Sequence, residues 1–101
     1  MIYLYILYNS GIDKYYIGQS NDPWRRLIEH NSNNKQTYTG KSSEWTLEAV
    51  FEVSPNRGDV DKIEKFIKKQ KSRTLILQLV NPEFVPTGQL AQLVRVPHAR
   101  D

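Results

Sequence analysis

The chain has 101 residues, enough for one domain with a modest core and too few for two. With 39% hydrophobic and 25% charged residues it is globular rather than disordered, and the absence of cysteine excludes disulfides and thiolate-held metals, leaving oxygen or imidazole to hold any ion. Fourteen Lys and Arg against eleven acids give a net charge of +3, a mild bias toward polyanions.

The opening MIYLYILYN is far too short to cross a bilayer and lacks the basic start and small-residue cleavage site of a leader. It predicts a strand, Ile2 to Tyr8, in a chain expected to be cytoplasmic and to bind no membrane. The turn Asn9-Ser10-Gly11-Ile12-Asp13 leads to a second strand, Tyr15 to Ser20, and the two make a β-hairpin. Asn21-Asp22-Pro23 offers a cap and a first-turn proline, and Trp24, Leu27 and Ile28 follow at helical spacing, so a first helix spans Pro23 to Asn31. Asn31 to Ser43 is polar and reads as an exposed loop, its part up to Lys41 suited to contact a nucleic-acid backbone.

Trp45 to Val53 predicts a third strand, closed by Ser54-Pro55-Asn56-Arg57-Gly58. A second helix, Asp59 to Lys71, carries Val60, Ile63, Phe66 and Ile67 on one stripe and lysines around the rest. Thr74 to Val80 reads as helical, and beyond Asn81-Pro82 the run Leu90 to Val96 reads as a strand or a short helix. The order is β-β-α-β-α-α plus a tail, an α+β fold. Residues 1–80 form the expected domain and residues 81–101 an extension with no assigned role.

On the first helix Arg26 and His30 stand one turn apart, roughly opposite Trp24, Leu27 and Ile28. Such a face serves solvation as readily as chemistry. Alternation puts Tyr3, Tyr5 and Leu7 on one face of the first strand and Tyr16, Gly18 and Ser20 on one face of the second. Tyr5 and Tyr16 share a sheet face only if paired residue numbers sum to an odd value, which the sequence leaves open. Gly18 in mid-strand implies a bulge or a close approach by another group. Glu64, four residues after Val60 and four before Lys68, either reaches over the sheet or pairs with that lysine.

Tyr3-Leu4-Tyr5, ten residues, Tyr16-Ile17-Gly18, then Arg26, His30 and a glutamate in a later lysine-rich helix: over about Met1 to Val80 this pattern resembles the GIY-YIG nuclease family. It is similar to the small stand-alone members and to the nuclease module that opens the excision-repair incision subunit. Tyr5 matches the tyrosine of the first motif half, Tyr16 that of the second, Arg26 the motif arginine, His30 a common companion and Glu64 the metal-binding glutamate. Two positions depart from the pattern: Tyr3-Leu4-Tyr5 stands for G-I-Y, and Gln19 stands where several relatives carry lysine.

The resemblance implies a three-stranded antiparallel sheet flanked by helices, and hydrolysis of DNA phosphodiester bonds with Mg2+ or Mn2+ held by Glu64. RNA is a further candidate substrate. It implies Tyr5 as general base, Tyr16 as partner of the phosphate or the nucleophile, Arg26 as a fork on phosphate oxygens, and His30 as a positioner of Tyr5 or a proton carrier. A free tyrosine titrates at about 10, so Arg26 and the metal are expected to lower Tyr5. Gly18, Gln19, Lys62, Lys65, Lys68, Lys69, Lys71 and Arg73 make a phosphate-tracking surface or, lysine by lysine, the solubilising side of an amphipathic helix. Nothing recognisably reads base edges, so structure-dependent or weakly sequence-specific cutting in DNA repair or recombination is expected. Two other readings are a nucleic-acid-binding module without turnover and a protein-interaction domain, the latter requiring Tyr5 and Tyr16 on opposite faces.

Overall fold

In the computed structural model, which describes residues 1–32 and 45–98, the aromatic and aliphatic residues of the first twenty positions build the expected hairpin from β1 (Ile2–Asn9) and β2 (Lys14–Ser20). The Asn9 side chain accepts the Gly11 N–H at 2.9 Å, and Asp13 turns left-handed at φ 52 to launch β2. Tyr5 pairs with Gly18 and Leu7 with Tyr16, so paired numbers sum to an odd value and Tyr5 and Tyr16 share a face. The protein-interaction reading, which needed them on opposite faces, fails on this register. Of the loop expected over Asn31 to Ser43, the first two residues belong to the first helix, and the rest, with its proposed nucleic-acid contacts, lies outside the described residues.

β3 (Trp45–Ser54) pairs antiparallel with β1, and β4 (Val94–Val96) with β3, giving the order β2-β1-β3-β4. The sheet therefore has four strands, one more than expected. The extra one comes from the run that sequence left between strand and helix. That run divides: a 3-10 turn at Gly88–Leu90 buries Leu90, Leu93 follows into the core, and three residues then join the sheet edge. Further ties hold this segment down. Arg95 donates to the carbonyls of Leu79 and Asn81 at 2.6 and 2.8 Å, and the Trp24 indole N–H donates to the His98 carbonyl at 2.9 Å.

Helix α1 (Pro23–Ser32) covers one face of the sheet, and α2 (Arg57–Gln70) with α3 (Arg73–Val80) covers the other. α2 starts two residues earlier than expected because the Asn56 side chain accepts the Gly58 N–H at 2.8 Å, and it ends at Gln70 because Lys71 turns left-handed at φ 48. On the α2 side Leu4, Ile6, Ile17 and Phe51 meet Val60, Ile63, Ile67 and Leu79. Each such side chain contributes roughly 1.5–3 kcal/mol on burial, so this face carries most of the stability. The α1 side has a smaller cluster, Tyr5, Leu7 and Val50 beneath Trp24, Leu27 and Trp45.

Candidate active site

Helix α1 aims its polar residues differently from the expectation. Trp24 and Leu27 pack against the sheet, yet Ile28 is 65% exposed, and Arg26 and His30 also turn toward the tyrosine-bearing face. The apolar and polar pairs are thus adjacent sectors of one buried side rather than opposite sides. At 100° per residue His30 and Trp24 each lie about 60° from Leu27, so seating Leu27 on the sheet brings both down with it. Asn31 fixes this seating from the helix end: its Oδ1 accepts the Trp45 N–H at 2.8 Å and its Nδ2 donates to the Trp45 carbonyl at 3.2 Å.

Four candidate residues meet there. The rings of Tyr5 and Tyr16 lie 6.2 Å apart, centroid to centroid, and His30 packs 4.7 Å from Tyr16, with Trp45 beside them at 6.4 Å from Tyr16 and 6.1 Å from His30. The Arg26 guanidinium lies beside the Tyr5 hydroxyl and pairs with Glu29, and both neighbours hold its proton more firmly still. Gly18 explains itself in this setting. A Cβ at that position would fall 2.6 Å from the Tyr5 hydroxyl oxygen and 2.9 Å from the Tyr16 ring, so the close approach inferred from the sequence is that of the two phenols.

The phenols are not equivalent. Tyr5 is 1% exposed, whereas Tyr16 is 37% exposed and faces outward. Burial raises the Tyr5 pKa above the ordinary value, and the Arg26 guanidinium beside it, which pulls it down, does not offset this. Arg26 thus lowers it as expected, but burial outweighs that pull. Tyr5 is a neutral phenol at physiological pH. Burial and the Arg26 charge together hold His30 below the ordinary imidazole value, so it too is neutral. Its Nε2 is buried and, among the described residues, without a hydrogen-bond partner. The ring it packs on is that of Tyr16, whereas the sequence left it either positioning Tyr5 or carrying a proton.

Glu64 stands apart from these four. Gln19 follows Gly18 along β2 and so points to the α2 side, where its amide donates to Glu64 Oε1 at 3.1 Å and to Asp61. Gln19 Oε1 accepts from Arg57 at 3.0 Å, and Lys68 donates to Glu64 Oε2 at 2.9 Å. Glu64 thus does both things anticipated for it, reaching the sheet and pairing with Lys68, while a single strand separates it from the phenols. β2 is an edge strand, so no further strand blocks the way around it.

Lys62, Lys65 and Lys69 lie exposed along α2. Lys71 and Arg73 belong to a recess beside the hairpin, where Arg73 bonds Asp13 at 2.6 Å and stands 5.2 Å from the Tyr15 ring centre.

For a divalent cation the relevant donors are Glu64 and Asp61, which converge on the one Gln19 amide. No cluster of three or more His, Asp or Glu ligands occurs among the described residues. Carboxylate oxygens completed by water and substrate suit Mg2+ or Mn2+, so the donor chemistry fits a weakly held hard ion. Asp61 escaped sequence reasoning, although its three-residue spacing from Glu64 on a helix was a usable signal. Trp45, Asn31 and Arg57 also escaped it, and nothing local marks them, because each acts through a partner distant in sequence. No helix among the described residues is long and apolar enough to cross a membrane.

The model of the GIY-YIG catalytic domain family matches residues 1–76 of the chain. No curated protein and no solved structure matches it.

Proposed function

The chain belongs to the GIY-YIG catalytic domain family, whose members are generally nucleases, and from that premise we propose that it is a divalent-metal-dependent endonuclease hydrolysing DNA phosphodiester bonds with structural or weak sequence preference. The observation that carries this reading is the meeting of Tyr5, Tyr16, Arg26 and His30 around Gly18, at the edge strand whose other side holds Glu64. We assign phosphate tracking to Gly18, Gln19, Lys65, Lys68, Lys69, Lys71 and Arg73, and a cytoplasmic role in DNA repair or recombination.

Hydrolysis needs a placed water, a proton acceptor and positive charge where the phosphate gains negative charge. Arg26, permanently protonated, offers its remaining N–H groups to non-bridging oxygens. Tyr16, the exposed phenol, meets the incoming water or phosphate. Tyr5 sits behind it, its ring beside that of Tyr16 and its hydroxyl near Arg26, and so relays a proton rather than abstracting one directly. Neutral His30 orients the Tyr16 ring and keeps a nitrogen free for the proton. Glu64, with Asp61 beside it, would hold Mg2+ or Mn2+, which supplies Lewis-acid stabilisation of the phosphate.

The test is incubation with branched, nicked, single-stranded and plasmid DNA, and with RNA, in Mg2+ or Mn2+. Wild type is expected to cut at least one DNA, and Arg26→Ala and Glu64→Ala to cut it at least about 10²-fold more slowly. Equal cutting by either variant overturns the assignment. One pair of observations favours a binding module without turnover: Tyr5 is shifted away from phenolate, and both Glu64 oxygens are already engaged. Salt-sensitive DNA binding with no cleavage in any metal is the result that reading requires.

A further inference from the structure

A recess of about 510 Å³ lies on the α2 side of the hairpin, between the start of β2 and the junction of α2 with α3. Its floor is apolar, formed by Ile17, Ile67 and Ile76, with Tyr15 as one wall. Around the rim stand Lys14, Lys68, Lys71 and Arg73, against a single acid, Asp13, which Arg73 already pairs. Lys14 and Lys71 have no ion-pair partner among the described residues. An apolar floor beneath a cationic rim matches an object with an apolar face and an anionic edge.

Resting on the nuclease reading above, we propose that this recess receives an unpaired nucleotide flanking the scissile phosphate, the base against the floor and the Tyr15–Arg73 pair, its phosphates on Lys14 and Lys71. Three observations support that occupant. The volume suits one small-molecule-sized group, and a base stacked within a duplex does not enter a recess unless it is extruded. The recess shares Lys68 with Glu64, the proposed metal-holding carboxylate, which puts the occupant on the Glu64 side of the edge strand, across it from the Tyr16 phenol. Lys71 also holds a left-handed backbone conformation at φ 48 where glycine is the usual helix-ending residue, so a lysine is kept on the rim at a local conformational cost.

The experiment measures anisotropy of a labelled oligothymidylate of about ten nucleotides, and of a hairpin duplex with as many phosphates, on the full chain in EDTA across a salt series. Lys71→Gly is the informative variant because glycine fits the backbone: its melting temperature should hold or rise, while single-strand affinity falls about fivefold and its salt dependence becomes shallower by about one neutralised phosphate. Tyr15→Leu should weaken single-strand binding by about tenfold with the floor kept apolar. Duplex binding should not change in Tyr15→Leu, and in Lys71→Gly it should fall clearly less than single-strand binding, since Lys71 is also assigned to phosphate tracking. Single-strand affinity insensitive to both substitutions, or equal weakening for single strand and duplex, overturns the recess. Cleavage by the same preparations in Mg2+ separates the two ideas: single-strand binding that responds to Lys71→Gly in a protein that cuts nothing upholds the recess and removes the nuclease reading. Cutting with unresponsive binding does the reverse.

Discussion

The two faces of the β1–β2 hairpin are built from one alternating pattern and do opposite work. Toward α2 and α3, Leu4, Ile6 and Ile17 interlock with Ile63, Ile67 and Leu79, an apolar seal. Toward α1, the intervening positions carry Tyr5 and Tyr16, and the helix answers with Arg26 and His30 beside Trp24 and Leu27. The lesson is that period-two alternation lets one strand pair supply a core and a polar site without extra structure. Stability from the first face is what allows the second to keep a buried His30 nitrogen that has no partner among the described residues.

Substitutions on the two faces should therefore separate stability from chemistry. Leu79→Ala, at a fully buried position of the apolar face, is expected to cost about 2–5 kcal/mol in urea denaturation while turnover per folded molecule is kept. Arg26→Ala should invert that result: about 10²–10³-fold slower cleavage with a stability change under about 1 kcal/mol. Gly18→Ala sits at the boundary. Its methyl would press on both phenols, so a loss of about 1–3 kcal/mol together with slower cleavage is expected, and a variant as stable and active as wild type would show the phenols free to part.

His30 gives the smallest effect and the sharpest sign. Its folded-state pKa is below the unfolded one, so the folded protein resists its protonation. The stability it supports is present above about pH 6.5 and falls as pH drops through that value toward its folded pKa. In His30→Gln that acid-side slope should flatten, as followed by melting temperature between about pH 7 and pH 5. An unchanged slope would place His30 in water instead of against Tyr16.

Much of this was legible in the chain because the relevant signals are local. Strand alternation, the Asn-Asp-Pro helix start and the Val60 to Ile67 stripe each occupy one element, and they led to β1, β2, β3 and the helices within a residue or two. What stayed hidden was relational. The hairpin register depends on turn geometry at Asn9 and Asp13, so the parity uniting Tyr5 with Tyr16 could only be stated as a condition. The raised Tyr5 pKa reflects burial by α1 and β3, which no spacing reveals. β4 has three residues, too few for a period, and exists because β3 offered an open edge. Ile28 matched helical spacing but lies beyond the sector that Leu27 seats.

The central claim is that the phenol–arginine cluster and Glu64, on two sides of one edge strand, serve the same phosphate. A double-mutant cycle on the cleavage rate tests it most directly, using wild type, Arg26→Ala, Glu64→Gln and the double variant, each confirmed folded. Groups acting as one unit predict a double variant scarcely slower than the worse single one. Rate reductions that multiply in full, or a Glu64→Gln protein cutting at the wild-type rate, would contradict it.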